Sequence, residues 1–294
     1  DTGDCWLLSG VNALSYTEKG REVIKDTLEY KKGGTVVHLK GLNKDYFVSD
    51  KELKKIKTDK EKSKLYSEGD DDMIILEKAI DMAREDISNG KITLSDENIF
   101  SDKDTYSKKS SSHLMIKNGM APEVMYFLTG KSSEIALESD KKDELLNKFI
   151  ENGNKNYVLA GGIPKENEGY TKDINGEEVY LAGAHDYSIK NADENTVTVI
   201  NPWDSGKEIK LSKETFLEKF NQLYGCDLSD ENENIDLTVK TTADVKKNED
   251  GTKTKVVKDE KGNTLGEYKF DKKGRKIGFK EEENGTTIQY GFNG

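Results

Sequence analysis

The sequence predicts an α+β protein: a helical lobe over residues 1–135, a β-rich lobe over 136–235 and a small all-β meander over 240–294. Three observations carry that prediction. Met73, Leu76, Ile80, Ala83 and Ile87 fall at the spacing of one helix face. Residues 157–200 hold four short strand-like runs. In the tail, Gly251, Gly262, Gly274 and Gly285 recur at intervals of 11, 12 and 11 residues.

Taken in order, residues 6–14 are apolar and small and follow a Gly-Asp-Cys turn, which predicts a buried helix. Residues 35–39 and 46–48 read as strands. The helix over 72–87 begins at Asp70, Asp71 and Asp72, where the helix dipole favours negative charge. Residues 145–150 end a further helix. Strands follow at 157–160, 178–182, 187–190 and 196–200. Residues 212–224 return to a helix, with Ser212 as N-cap and Phe216 and Phe220 four apart. In the tail, each glycine follows a polar residue (Asp250, Lys261, Lys273 or Asn284) and short alternating runs lie between. Glycine supplies the positive φ that tight hairpins need, so the tail reads as a meander. It serves either as a sheet packed on something larger or as a binding or spacer module that contacts another protein or further repeats.

Composition excludes several classes. No stretch approaches 18 apolar residues, so no membrane span is expected. The formal charge is −11, which argues against nucleic acid binding through bulk electrostatics. That charge is uneven. Residues 240–294 carry 13 basic and 10 acidic side chains, whereas residues 1–239 carry 33 and 47, and the change coincides with a polar stretch at 228–236. Two cysteines cannot form a disulfide framework, and their number fits the cytosol and a secreted bacterial protein equally. The chain begins at Asp1 without a charged-then-apolar leader, which reads as a trimmed or processed start.

Cys5 precedes a predicted helix, where the positive end of the dipole lowers a thiol's pKa and makes the thiolate available for covalent catalysis. A buried structural cysteine is the commoner reading for a lone thiol, and Cys226 has only that reading. His38 lies in a strand-like run and His113 in a serine-rich stretch, and both read as structural. His185 differs. The runs 187–191 and 196–201 flank a polar turn centred near Asp193 or just after it, and pairing across it sets Asn201 opposite His185 or Asp186. Pro202 ends the strand, and Trp203 is placed to cover the pair. The roles that follow are Cys5 as attacking sulfur, His185 as its ion-pair partner and general acid, and Asn201 as the group that orients the ring. The Cys5 backbone N–H would donate to the oxyanion.

These residues resemble the calpain family of papain-like cysteine proteases. Gly3-Asp4-Cys5-Trp6-Leu7-Leu8 is similar to the family's cysteine motif, His185-Asp186-Tyr187-Ser188 to its histidine motif and Asn201-Pro202-Trp203 to its asparagine motif, in the same order. Leu76-Glu77-Lys78-Ala79 and the Phe216/Phe220 segment add to the likeness, which covers residues 1–227. The tail resembles neither the C2-like nor the EF-hand domain of that family. The resemblance implies a papain-like two-lobed core, an endopeptidase acting on protein or peptide substrates, and Cys5, His185 and Asn201 as its catalytic residues. It also implies calcium as an activator that closes the cleft, with Glu77 similar to a family ligand, although the chemistry itself needs no cofactor. Three departures stand out. The family's oxyanion glutamine would fall before residue 1. Asp186 replaces an alanine. Ala184 separates Gly183 from His185, while Asp204 replaces a glycine. Two other functions compete with the protease: a catalytically degenerate peptide-binding module, and a thiol acyltransferase or transglutaminase-like enzyme.

Overall fold

A computed structural model describes residues 3–59, 66–67, 70–94, 119–153, 155–229, 242–258, 264–270, 276–283 and 286–291. The chain divides into two compact units, residues 1–229 and 230–294. The boundary expected between residues 135 and 136 falls inside the first of them. The architecture is α+β, with seven α-helices among the described residues and several antiparallel sheets.

In the first unit, helices α1 (Cys5–Ser15) and α2 (Glu18–Thr27) lead into a three-stranded sheet of β1 (Leu28–Lys31), β2 (Gly34–Leu39) and β3 (Lys44–Ser49). Helix α3 (Asp50–Thr58) starts on a reciprocal cap between Ser49 and Glu52, which satisfies two otherwise unpaired backbone donors. Helix α4 (Asp71–Ser88) starts on Asp70, whose side chain accepts from the Met73 N–H. Helix α5 (Ala121–Thr129) has a proline in its first turn and no capping side chain from Met120. After β4 (Glu134–Ala136) and α6 (Ser139–Asn152) come β5 (Tyr157–Ile163), the hairpin of β6 (Gly169–Lys172) and β7 (Glu178–Leu181), then β8 (His185–Ala192), β9 (Thr196–Ile200), β10 (Glu208–Ser212), α7 (Lys213–Lys219) and β11 (Gln222–Asp227). Six of these strands form one antiparallel sheet in the order β10-β9-β8-β5-β11-β4.

Strand β5 is buried along its whole length because both faces of the sheet are covered. Val158 and Ala160, with Tyr224 and Cys226, join a core containing Trp6, Leu14, Ile80 and Phe127. Tyr157, Leu159 and Ile163, with Leu223, join a second core containing Leu146, Phe149, Tyr187, Phe216 and Phe220. A strand covered on both faces reads as a continuous apolar run rather than an alternating one. The first core also encloses an ion pair. Arg84 of α4 donates from Nε and from a terminal nitrogen to the two oxygens of Glu123 in α5, at 2.8 and 2.7 Å, with neither side chain exposed. The same guanidinium lies 4.1 Å from the centroid of the Trp6 ring.

The expected helix over 212–224 is corrected. Ser212 does cap α7, accepting from the Thr215 N–H, but the helix stops at Lys219. Phe216 and Phe220 still pack together, with ring centroids 4.4 Å apart. Residues 222–227 instead insert between β5 and β4 and pair with both, so backbone partners on either side outweigh the helical spacing. Lys142 donates to the carbonyls of Leu217 and Phe220 and so closes the helix end. Of the other expected strands, 196–200 coincides with β9, 178–182 runs one residue past β7 and the rest lie within longer strands, while the expected helices over 6–14 and 72–87 lie within α1 and α4.

The second unit is a meander of β12 (Thr242–Lys247), β13 (Lys253–Lys258), β14 (Thr264–Phe270), β15 (Lys276–Glu283) and β16 (Thr286–Gly291), each strand antiparallel to the next. Its first turn uses Gly251 at φ 82°, with the Asp250 carboxylate accepting from the Thr252 N–H. The turns expected at Gly262, Gly274 and Gly285 lie outside the described residues, as does His113. No helix among the described residues is long and apolar enough to cross a membrane.

Candidate active site

Cys5 is the first residue of α1, and the Asp4 carbonyl before it accepts from the Leu7 and Leu8 N–H groups. Part of Cys5 reaches the surface. The backbone N–H groups of Asp186 and Trp6 lie near enough to its sulfur to lower its pKa. Helix α1, which carries Cys5, packs against β8, which His185 opens.

His185 opens β8 and is 3% exposed. Its Nε2 lies 2.9 Å from Asn201 Oδ1, and that same oxygen accepts from the Trp203 N–H at 3.0 Å. A backbone N–H can only donate, so the Asn201 atom is the carbonyl oxygen and His185 Nε2 must carry the hydrogen. In the neutral ring the lone pair therefore sits on Nδ1, which is buried and has no hydrogen-bond partner among the described residues. Trp203, itself 51% exposed, lies over the imidazole with centroids 3.9 Å apart, while Tyr187 meets it edge-on at 5.0 Å. The Tyr187 hydroxyl accepts from the Ala182 N–H and so braces the approach to His185.

The expected register needs correction. The turn between β8 and β9 is centred between Glu194 and Asn195, and Asp193 accepts from the Asn195 and Thr196 N–H groups. Ala192 faces Val197 and Asn191 faces Thr198, a register that would set Asn201 opposite Ser188, on the wrong face. An irregularity between Ile189 and Asn191 then removes one residue, so Ile189 faces Val199 and Ser188 faces Ile200. Continued one step, the ladder sets Asn201 opposite Tyr187, on the face His185 shares. His185 is then its diagonal neighbour, within reach of an amide side chain.

The electrostatics oppose the expected dipole-lowered thiol. Burial of the sulfur, then the nearby charges of Asp186 and Asp4, push Cys5 up from 9.0 to about 12 against the two N–H groups that lower it. A helix dipole contributes roughly 0.3–1 kcal/mol, less than one pKa unit, so desolvation wins. Burial also holds His185 below its ordinary value, partly offset by the Asn201 bond and by Asp4. At neutral pH the Cys5 thiol and the His185 imidazole are both uncharged.

Behind Cys5, the fully buried Glu77 of α4 takes the Ser67 N–H on both oxygens, at 3.2 and 3.1 Å, and meets Asp4. Burial first, then Asp4, push its carboxyl up to about 9, so it keeps a proton at neutral pH. Calcium needs six to eight oxygen ligands. Among the described residues, no group of three or more His, Cys, Asp or Glu side chains could hold a metal ion. His38 is half-buried on β2, with Nδ1 2.8 Å from Asp45 and Nε2 3.4 Å from Glu29, which raise its pKa. Cys226 is buried in β11 against the Lys131 carbonyl. Arg84 and Glu123, which fix Trp6 beside the thiol, carry no local sequence signal because 39 residues separate them. No family model matches the chain, and no curated protein matches it.

Proposed function

We propose that this protein is a calpain-like cysteine endopeptidase with a papain-like two-lobed core, in which Cys5 is the nucleophile, His185 the general acid and base, and Asn201 the residue that fixes the ring. The observation that carries the reading is the imidazole itself. Its Nε2 is committed to Asn201, its Nδ1 is bare, and the strand it opens packs against the helix that Cys5 begins. The thiol proton moves to Nδ1 as the sulfur attacks a peptide carbonyl carbon, since a thiolate standing alone is disfavoured here. The Cys5 backbone N–H, at the first helical position and free of an intrahelical acceptor, donates to the developing oxyanion. The imidazolium returns its proton to the departing amine, leaving a thioester. Nδ1 then takes a proton from the water that hydrolyses it.

A second reading, a peptide-binding module that does not cut, is favoured by the resting thiol's high pKa. Hydrolysis of a denatured protein or a quenched peptide, with and without calcium and with Cys5→Ala as control, decides between them. Cleavage lost in Cys5→Ala supports the peptidase. Peptide binding without cleavage by either protein supports the module. Adding a primary amine and looking for the amide product tests the acyltransferase alternative.

A further inference from the structure

Asp186 is the one charged side chain in the histidine motif, and the mechanism above uses only its backbone. It is buried and reaches across to α5, where its Oδ2 accepts from the Ala121 N–H at 3.1 Å. That helix lacks a side-chain cap of its own, so Asp186 supplies one from another strand. On β5 its partner is Gly162, where a Cβ would lie 3.0 Å from Asp186 Oδ1 and from the Tyr224 hydroxyl, so a larger residue there would press on the carboxylate. Facing it are Cys5 from α1, with Asp4 beyond it, the first turn of α5, the Gly162 backbone and Tyr224 from β11. None of these is a cation. Its own N–H meanwhile lies near enough to the Cys5 sulfur to lower that thiol's pKa.

We propose that Asp186 is a positioning residue with a regulatory charge: it pins the His185-bearing strand to α5 and to the nucleophile, and its ionised carboxylate opposes formation of the thiolate. Protonation of Asp186 removes that opposition while its backbone N–H stays near the sulfur. This rests on reading Cys5 as the nucleophile. Burial raises the Asp186 carboxyl to about 7, which puts the change in the physiological range. The sign is fixed by like charges: an anion beside the sulfur raises the cost of a second anion.

The test is the rate of Cys5 alkylation by iodoacetamide on the full chain, read by peptide mapping from pH 5 to 9.5. In the parent the logarithm of the rate should rise, flatten near pH 7 as Asp186 ionises, and rise again. Asp186→Asn should remove the flattening and react about tenfold faster at pH 8, the effect of a one-unit shift. Asp186→Ala should do the same. Folded variants with a profile that superimposes on the parent's, or that react more slowly, overturn the proposal. Should both variants fail to fold, the His185→Ala chain decides, because no imidazole at residue 185 then titrates: flattening that persists supports Asp186, and its absence overturns the proposal. Failure of the peptidase reading looks different: His185→Ala would leave the Cys5 rate unchanged, whatever Asp186 does.

Discussion

The start of α1 and the middle of β11 each hold a thiol, and burial pushes both up to about 12. By proton affinity alone Cys5 and Cys226 are indistinguishable. They differ in surroundings. Cys226 sits fully buried, with the Lys131 carbonyl 4.0 Å away and the Ser133 and Thr129 hydroxyls near enough to lower its pKa, but with no access for a substrate. Cys5 partly reaches the surface, has two backbone N–H groups near enough to lower its pKa, and begins a helix packed against the strand whose His185 has a bare nitrogen. A reactive thiol is thus marked by the base that can take its proton and by access for a substrate, more than by its resting acidity.

The widest separation between the two thiols should appear in turnover. Cys5→Ala should lower peptide hydrolysis by more than about 10⁴-fold, while Cys226→Ala keeps it, and equal losses would erase the distinction. Next in size, His185→Ala should slow alkylation of Cys5 at neutral pH by about 10²-fold and leave Cys226 at its slow rate. A drop at both sites in the mapped peptides would point to unfolding instead. Asn201→Ala frees the ring and should cost roughly 10- to 100-fold in kcat, the scale of a misoriented group, with Asn201→Asp recovering part of it because an acceptor oxygen remains. Stability should show the reverse order. Cys226→Ser replaces a fully buried thiol with a hydroxyl and should lower unfolding free energy by about 1–3 kcal/mol, measured by urea titration, whereas Cys5→Ser at the partly exposed helix start should cost less.

The pH dependence of stability follows from the buried acids near Cys5. Folding raises Asp186 from 3.8 to about 7 and Glu77 from 4.5 to about 9. For an acid whose folded pKa is raised, the stability it contributes is complete below the unfolded value and is lost as pH rises through the folded one. The urea midpoint should therefore fall between pH 5 and pH 9, and Asp186→Asn should flatten the part of that fall below pH 7.

Much of this architecture was legible in residue order. The apolar stripe from Met73 to Ile87, the Asp70 cap and the Ser212 cap are local signals, and each marks a helix start that the structure contains. The tail's glycine spacing likewise marks a five-stranded meander. Helices α2, α3 and α5 gave weaker signals, being short or strongly charged, and depend on the sheet and helices they pack against. Strand β11 was hidden because Phe216 and Phe220 suggest a helix that continues, whereas its hydrogen-bond partners lie about 60 to 90 residues earlier in the chain.

By itself the sequence determined which chemical groups are present and roughly where the turns fall: a thiol at a helix start, a histidine and an asparagine flanking one hairpin, an aspartate that seals its turn. Only the tertiary structure decided that Asn201 meets His185, because strand side chains alternate with period two and a single irregularity between Ile189 and Asn191 sets the face on which Asn201 lies. It also decided the state of the thiol. The dipole of α1 is a property of local sequence, but the desolvation and the Asp186 charge that outweigh it come from a strand 180 residues away.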